Sequence, residues 1–182
     1  MNIPNFLTLF RILLIPLLVI FLLEGKATAA LWVFVAAGVT DALDGFLARV
    51  LRQKTDFGAF LDPIADKLLL ITSYITLSVL GVMPNWLTVI VVSRDVIIVM
   101  GIGILMLYSR SFSIKPTIIS KITTFLQLIT ITFYLGRQYL VSVAFVEVYL
   151  LGLTAFFTIV SGVHYIIFGF RLIGKPESIQ RK

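Results

Sequence analysis

Residues 40–50 read TDALDGFLARV, two aspartates three residues apart within an otherwise apolar, helix-length run. On membrane-insertion scales a carboxylate at the centre of a spanning helix costs roughly 2.5–3.5 kcal/mol, so a pair kept in such a run needs a compensating partner or a task. The surroundings are apolar throughout. Of 182 residues 59% are hydrophobic and only 13% charged, with mean hydropathy +1.07. The apolar runs repeatedly exceed what a soluble core helix needs, which defines an all-α, polytopic membrane protein. The opening MNIPNFLTLFRILLIPLLVIFLL carries Arg11 and leads through EGKATAA directly into further spans, so it reads as a retained first helix, not a cleaved signal. There is no cysteine, and the single His164 cannot build a histidine metal site, so any metal must be bound by oxygen.

Six transmembrane helices are expected, at 6–23, 29–47, 57–80, 86–108, 117–135 and 146–170, with a short amphipathic start before the first. The breaks fall at Gly25, at RQKTD (52–56), at Gly81 with Pro84, at SRSFSIKP (109–116), and at Gly136 with Arg137. No break is long enough for a second domain, so residues 1–182 are read as one membrane domain. Arg49, Arg52, Lys54, Arg110, Lys115, Lys121, Arg171, Lys175, Arg181 and Lys182 fall on one side, and Lys26 and Arg137 on the other. The positive-inside rule then places both termini, and the loops after helices two and four, in the cytoplasm. A net charge of +6 on such a chain points to an anionic membrane surface and anionic substrates, not to nucleic acid.

Asp44 lies five residues inside Arg49, about 7–8 Å along a helix rising 1.5 Å per residue. Asp41 is one turn deeper on the same face. Across the loop, GAFLDPIADK (58–67) carries Asp62 and Asp66 at i, i+4, at nearly the same depth. The helical hairpin therefore presents four carboxylates to one another near the cytoplasmic surface. Four such charges repel unless cations are shared among them. Carboxylate oxygens suit Mg²⁺ or Mn²⁺, and two such ions can clamp a diphosphate for in-line displacement at phosphorus. Gly45 and Gly58 permit close backbone approach, and Arg49 can neutralise a phosphate oxygen. An intramembrane ion or proton path is the non-enzymatic alternative; it favours midplane sites and paired repeats, whereas these acids lie at one surface and no repeat is evident.

Asp41, Asp44, Gly45, Ala48, Arg49, Gly58, Asp62 and Asp66 together spell D-x-x-D-G-x-x-A-R-x(8)-G-x-x-x-D-x-x-x-D. The chain thereby resembles the CDP-alcohol phosphatidyltransferase family along essentially its whole length. The resemblance implies a six-helix membrane enzyme, usually a homodimer, that moves a phosphatidyl or related group from a CDP-linked donor to an alcohol and releases CMP. It further implies that Asp41, Asp44, Asp62 and Asp66 hold two divalent cations on the diphosphate of CDP-diacylglycerol, with Asp66 also the base for the acceptor hydroxyl. Gly45, Ala48, Arg49 and Gly58 would line the nucleotide and diphosphate site. NIPNFLTLFR (2–11) resembles the first-helix signature of CDP-diacylglycerol users, which makes Asn5, Thr8 and Arg11 donor contacts; an Asn and a Thr near a helix start also serve as caps.

For the acceptor, the branch of the family that uses glycerol 3-phosphate resembles residues 2–93 and continues R-E-x-x-x-x-G-L-R. Here the stretch is RDVIIVMGI, with Ile102 in place of the second arginine. SRDVIIV (93–99) and IKPTIISKITTFLQL (114–128) resemble instead the cardiolipin-forming branch. The expected acceptor is therefore phosphatidylglycerol, with glycerol 3-phosphate the alternative, and Arg110, Lys115, Ser120 and Lys121 the expected acceptor contacts. Lys115 and Lys121 also fit as positive-inside anchors.

Arg94 falls deep in the fourth helix, and Asp95 points about 100° away around it, so a partner on another span is expected for Arg94. His164 is read as structural. A UbiA-like prenyltransferase also binds metal diphosphate through aspartates, but such proteins have two Asp-rich motifs in separate halves, where this chain has one hairpin cluster. The bacterial inner membrane, with the site at its cytoplasmic face, is the expected location.

Overall fold

The computed structural model describes residues 3–50, 56–108, 117–140 and 144–173. The described residues form six α-helices and one short 3-10 turn, with no strand. They are α1 (Ile3–Leu23), α2 (Ala27–Val50), α3 (Asp56–Val79), α4 (Asn85–Tyr108), α5 (Ile118–Gly136) and α6 (Ala144–Ile173), with the turn at Arg137–Tyr139. Each expected helix is present, displaced at its ends by a few residues. The expected amphipathic start is the first turn of α1 itself, which runs unbroken from Ile3. Among the described residues three segments are long and apolar enough to cross a membrane: Phe6–Leu23, Ile118–Tyr139 and Ala144–Gly169. Ala27–Leu43 is a shorter apolar run. In α3 the charges of Asp56, Asp62, Asp66 and Lys67 crowd the first half, so only its second half is free of charge.

Two of the turns use glycine for a conformation that a side chain resists. Gly25 follows α1 at φ +71° and Gly81 follows α3 at φ +67°. At the first, the Gly25 and Lys26 amides donate to Leu22 and Phe21 carbonyls; at the second, the Gly81 and Val82 amides donate to Ser78 and Leu77. These bonds satisfy last-turn carbonyls and reverse the chain within a few residues.

The chain divides into two compact units. The first comprises Met1–Asn85 and Leu128–Val143. Within it α1 packs against both α2 and α3, and each helix contributes one buried stripe. On α1 the stripe is Thr8, Arg11, Leu14, Ile15, Leu18 and Leu22; on α2 it is Ala30, Phe34 and Ala37; on α3 it is Ala65, Leu69, Leu70, Ser73, Tyr74 and Leu77. These are spacings of three and four, one face of a helix. Asp41 continues the α2 stripe by one turn, and Asp62 precedes that of α3. Since α2 runs back against α1, the C-terminal end of α2 meets the N-terminal ends of α1 and α3, and all three stripes turn from apolar to polar at that one end. Thr28 ties the start of α2 to the turn after α5, accepting from Gln138 Nε2 and sharing a 2.6 Å hydrogen bond with the Tyr139 hydroxyl. The opposite face of α1 is apolar and exposed at Phe6, Phe10, Leu13, Leu17 and Ile20, as a helix facing lipid is.

The second unit comprises Trp86–Gln127 and Ala144–Lys182. Its buried side chains include Leu87 and Val91 but are largely polar: Thr88, Arg94, Asp95, Thr123, Gln127, Thr154, Thr158 and Ser161. Interhelical bonds join them. Thr123 Oγ1 donates to the Phe157 carbonyl, and Gln127 Nε2 donates to Thr158 Oγ1. Between apolar helices in lipid, where hydrophobic burial discriminates little, such bonds and close packing supply the association.

Candidate carboxylate centre

Arg11 is the hub. Its side chain is completely buried, and its Nη1 stands 2.6 Å from Asp66 Oδ1 and 2.9 Å from Asp41 Oδ1. One turn earlier on α1, the buried Thr8 donates to Asp62 Oδ1 at 2.7 Å. Thr8 and Arg11 are three residues apart and share a face, as do Asp62 and Asp66 at four, so one edge of α1 addresses one edge of α3 twice. Burying a guanidinium costs several kcal/mol unless its charge is matched. Two carboxylates match it. Both are reachable from outside, Asp41 at 49% and Asp66 at 45% side-chain exposure. The cation is sealed in the helix bundle while the acids open outward.

The structure thus brings together Thr8, Arg11, Asp41, Asp62 and Asp66. Asp44, Gly45, Ala48 and Arg49 lie on α2 before Val50, Gly58 lies in the first turn of α3, and Asn5 in the first turn of α1; the side chains of these six lie outside the described residues. Arg110 and Lys115 also lie outside them. Ser120 and Lys121 are in the first turn of α5, Ser120 part-buried and Lys121 exposed.

The donor set fits a hard divalent cation: its acids are all carboxylates, two of them near enough to share one guanidinium nitrogen. Among the described residues alone no group of three or more acids is assembled closely enough to hold a metal ion.

A second buried arginine proves more connected than the sequence indicated. Arg94 Nη2 donates to Ser120 on α5 and to Ser161 on α6, each at 2.7 Å, so it does reach other helices as expected. Its Nη1 also bonds the adjacent Asp95 at 2.7 Å, despite their angular separation around α4. The long arginine stem allows the guanidinium to swing back over its neighbour, and the Tyr165 ring lies 5.8 Å from it. The stem passes Gly162, where a Cβ would stand 3.4 Å from Arg94 Cγ. His164 is exposed and stacks edge-on with Tyr165.

Residues 1–160 match CDP-alcohol phosphatidyltransferase, and the chain belongs to that family, an enzyme family of phospholipid synthesis. It is 40% identical over 153 residues to a protein of Drosophila melanogaster named "Probable cardiolipin synthase (CMP-forming)", covering 75% of this chain and 47% of that one. It is 36% identical over 181 residues to the "Probable phosphatidylglycerophosphate synthase" of Mycobacterium tuberculosis, covering 95% of this chain and 84% of that one. It is 35% identical over 182 residues to the "CDP-diacylglycerol--glycerol-3-phosphate 3-phosphatidyltransferase" of Bacillus subtilis, covering 90% and 93%. The chain therefore spans about half the length of the Drosophila protein and most of the two bacterial ones.

Proposed function

We propose that this chain transfers the phosphatidyl group of CDP-diacylglycerol to phosphatidylglycerol, forming cardiolipin and releasing CMP. The observation that carries the reaction class is the convergence of Asp41, Asp62 and Asp66 on Thr8 and Arg11 in a member of this family. In the step itself an acceptor hydroxyl oxygen bonds to the phosphatidyl phosphorus, the phosphoanhydride bond to CMP breaks, and the hydroxyl proton passes to Asp66. Half-exposed on the open side of the cluster, Asp66 is accessible to that hydroxyl. Asp41, Asp44, Asp62 and Asp66 would hold two divalent cations, Mg²⁺ or Mn²⁺, whose charge would offset that of the diphosphate and its leaving group. Arg11 and Thr8 serve the donor by fixing the carboxylates in register. Asn5, Gly45, Ala48, Arg49 and Gly58 complete the donor site, Arg49 as a phosphate fork and the glycines as places of close backbone approach.

The acceptor reading rests on Ile102, which removes a cation that a soluble, doubly charged acceptor would need, and on Arg110, Lys115, Ser120 and Lys121, which suit the single phosphodiester charge of a lipid. A second reading has its own support: relatives named for phosphatidylglycerophosphate or glycerol 3-phosphate match 90–95% of this chain. In that case the acceptor is glycerol 3-phosphate and Arg110 supplies the missing cation. Residues 1–182 act as one domain of six spans in the inner membrane of a bacterium, with the termini and cluster at the cytoplasmic face, as a homodimer. Purified protein given CDP-diacylglycerol and both acceptors decides between the readings. Cardiolipin should form faster than phosphatidylglycerophosphate, and CMP should be released with either product. Rapid phosphatidylglycerophosphate without cardiolipin selects the second reading, whereas ion flux without CMP release defeats both in favour of a transporter. CMP release that persists in excess chelator refutes the metal mechanism.

A further inference from the structure

We infer that Arg11 tunes how tightly the aspartate cluster holds divalent cations and couples their binding to that of the anionic donor. The inference rests on the reading of the aspartates as cation ligands. A single nitrogen, Arg11 Nη1, donates to Asp66 Oδ1 and is ion-paired at 2.9 Å with Asp41 Oδ1, so a divalent cation shared by these two acids competes with the guanidinium for the same pair of oxygens. Arginine cannot relieve that competition by losing its proton. Nor can water screen it, because the side chain is completely buried in the α1 stripe. A cation entering alone therefore meets a fixed like charge a few ångströms away. A cation entering with a diphosphate does not, since the phosphate oxygens bring the negative charge that both positive groups need. Arg11 thus lowers the affinity of the centre for free cations and leaves that of the cation–donor pair largely intact. It is a positioning residue whose charge orders the two binding events.

The test uses the full chain in detergent, with Mn²⁺ as the probe and isothermal titration calorimetry as the readout. Arg11→Met should bind Mn²⁺ alone about tenfold more tightly than the unaltered chain, while Arg11→Lys, which keeps the charge, should stay within about threefold of it. Adding CDP-diacylglycerol should tighten Mn²⁺ binding strongly in the unaltered chain and much less in Arg11→Met. Binding of Mn²⁺ alone to Arg11→Met that is unchanged or weaker overturns the inference and leaves the proposed function standing. Absence of Mn²⁺ binding to the unaltered chain with donor present overturns both. If Arg11→Met does not fold, the unaltered chain and Arg11→Lys decide: at least about tenfold tightening by the donor in each supports the coupling, and donor-independent affinity in either overturns it.

Discussion

Arg11 and Arg94 are both arginines buried within apolar helices, and each is bonded to an aspartate at 2.6–2.7 Å. They differ in what lies on the acid's far side. Asp41 and Asp66, around Arg11, are close to half exposed; Asp95, beside Arg94, is 1% exposed. An acid that is held from behind by a buried cation and open in front can meet a ligand without the bundle coming apart. An acid enclosed with its cation can only fasten what surrounds it, and Arg94 accordingly fastens α4 to Ser120 and Ser161 on the two helices of its own unit. The same pairing chemistry yields an open acid cluster in the first unit and a rivet in the second, and accessibility is what separates them.

That contrast predicts opposite phenotypes. Asp66→Asn should lower turnover by about 10²–10⁴, the usual cost of removing a general base, while the unfolding temperature in detergent moves little because Asp41 still balances the charge of Arg11. Undiminished turnover would remove Asp66 from the proton transfer. Asp95→Asn should do the reverse, destabilising the fold by about 3–5 kcal/mol because it removes the negative charge that balances the buried Arg94 guanidinium. A chemical or thermal unfolding series measures it, and stability equal to that of the unaltered chain would show that the second centre fastens nothing.

Two smaller substitutions sharpen the boundary between the centres. Thr8→Val removes the hydroxyl that holds Asp62 and with it a charge-assisted bond of about 1.5–3 kcal/mol. Turnover should fall about tenfold or more, while the stability lost should not exceed that bond, since valine leaves no cavity but cannot replace the hydroxyl. Retained turnover would mean that Asp62 is positioned without Thr8. Gly162→Ala should change stability least, by under about 1 kcal/mol. The helix gains about 0.5–1 kcal/mol from replacing glycine, and the new methyl loses a similar amount against the Arg94 stem, which it meets at 3.4 Å. A large loss in the unfolding series would mean that the stem has no room to yield.

The helices were legible because apolar runs of spanning length, interrupted by Gly25, Gly81 and Gly136, leave few alternatives. The Asp62 and Asp66 pair was legible too, since a spacing of four puts both on one face of α3 whatever the details of packing, while the expected pairing of Asp41 with Asp44 falls on a side chain outside the described residues. The inner side of the cluster was harder to read. Thr8 and Arg11 read as donor contacts, yet both are buried and bonded to the acids. The available signal was a lone cation in an apolar helix, which requires a carboxylate somewhere, but a sequence does not say on which helix. The Arg94–Asp95 bond was misjudged for a different reason: angular separation on a helix places Cβ atoms, while a long side chain can cancel it.

The pairing of Arg11 also has a temporal side. Arg11 lies on α1, and its partner Asp66 lies 55 residues further along the chain. When α1 leaves the ribosome it carries a charge whose partners on α2 and α3 are still to be made, and such a charge is better tolerated near polar headgroups than in hydrocarbon. The debt is settled in stages, by Asp41 on α2 and then by Asp66 on α3. Packing of α1, α2 and α3 and assembly of the carboxylate cluster are therefore one event, and a chain stalled before α3 would hold α1 less firmly than the finished protein does.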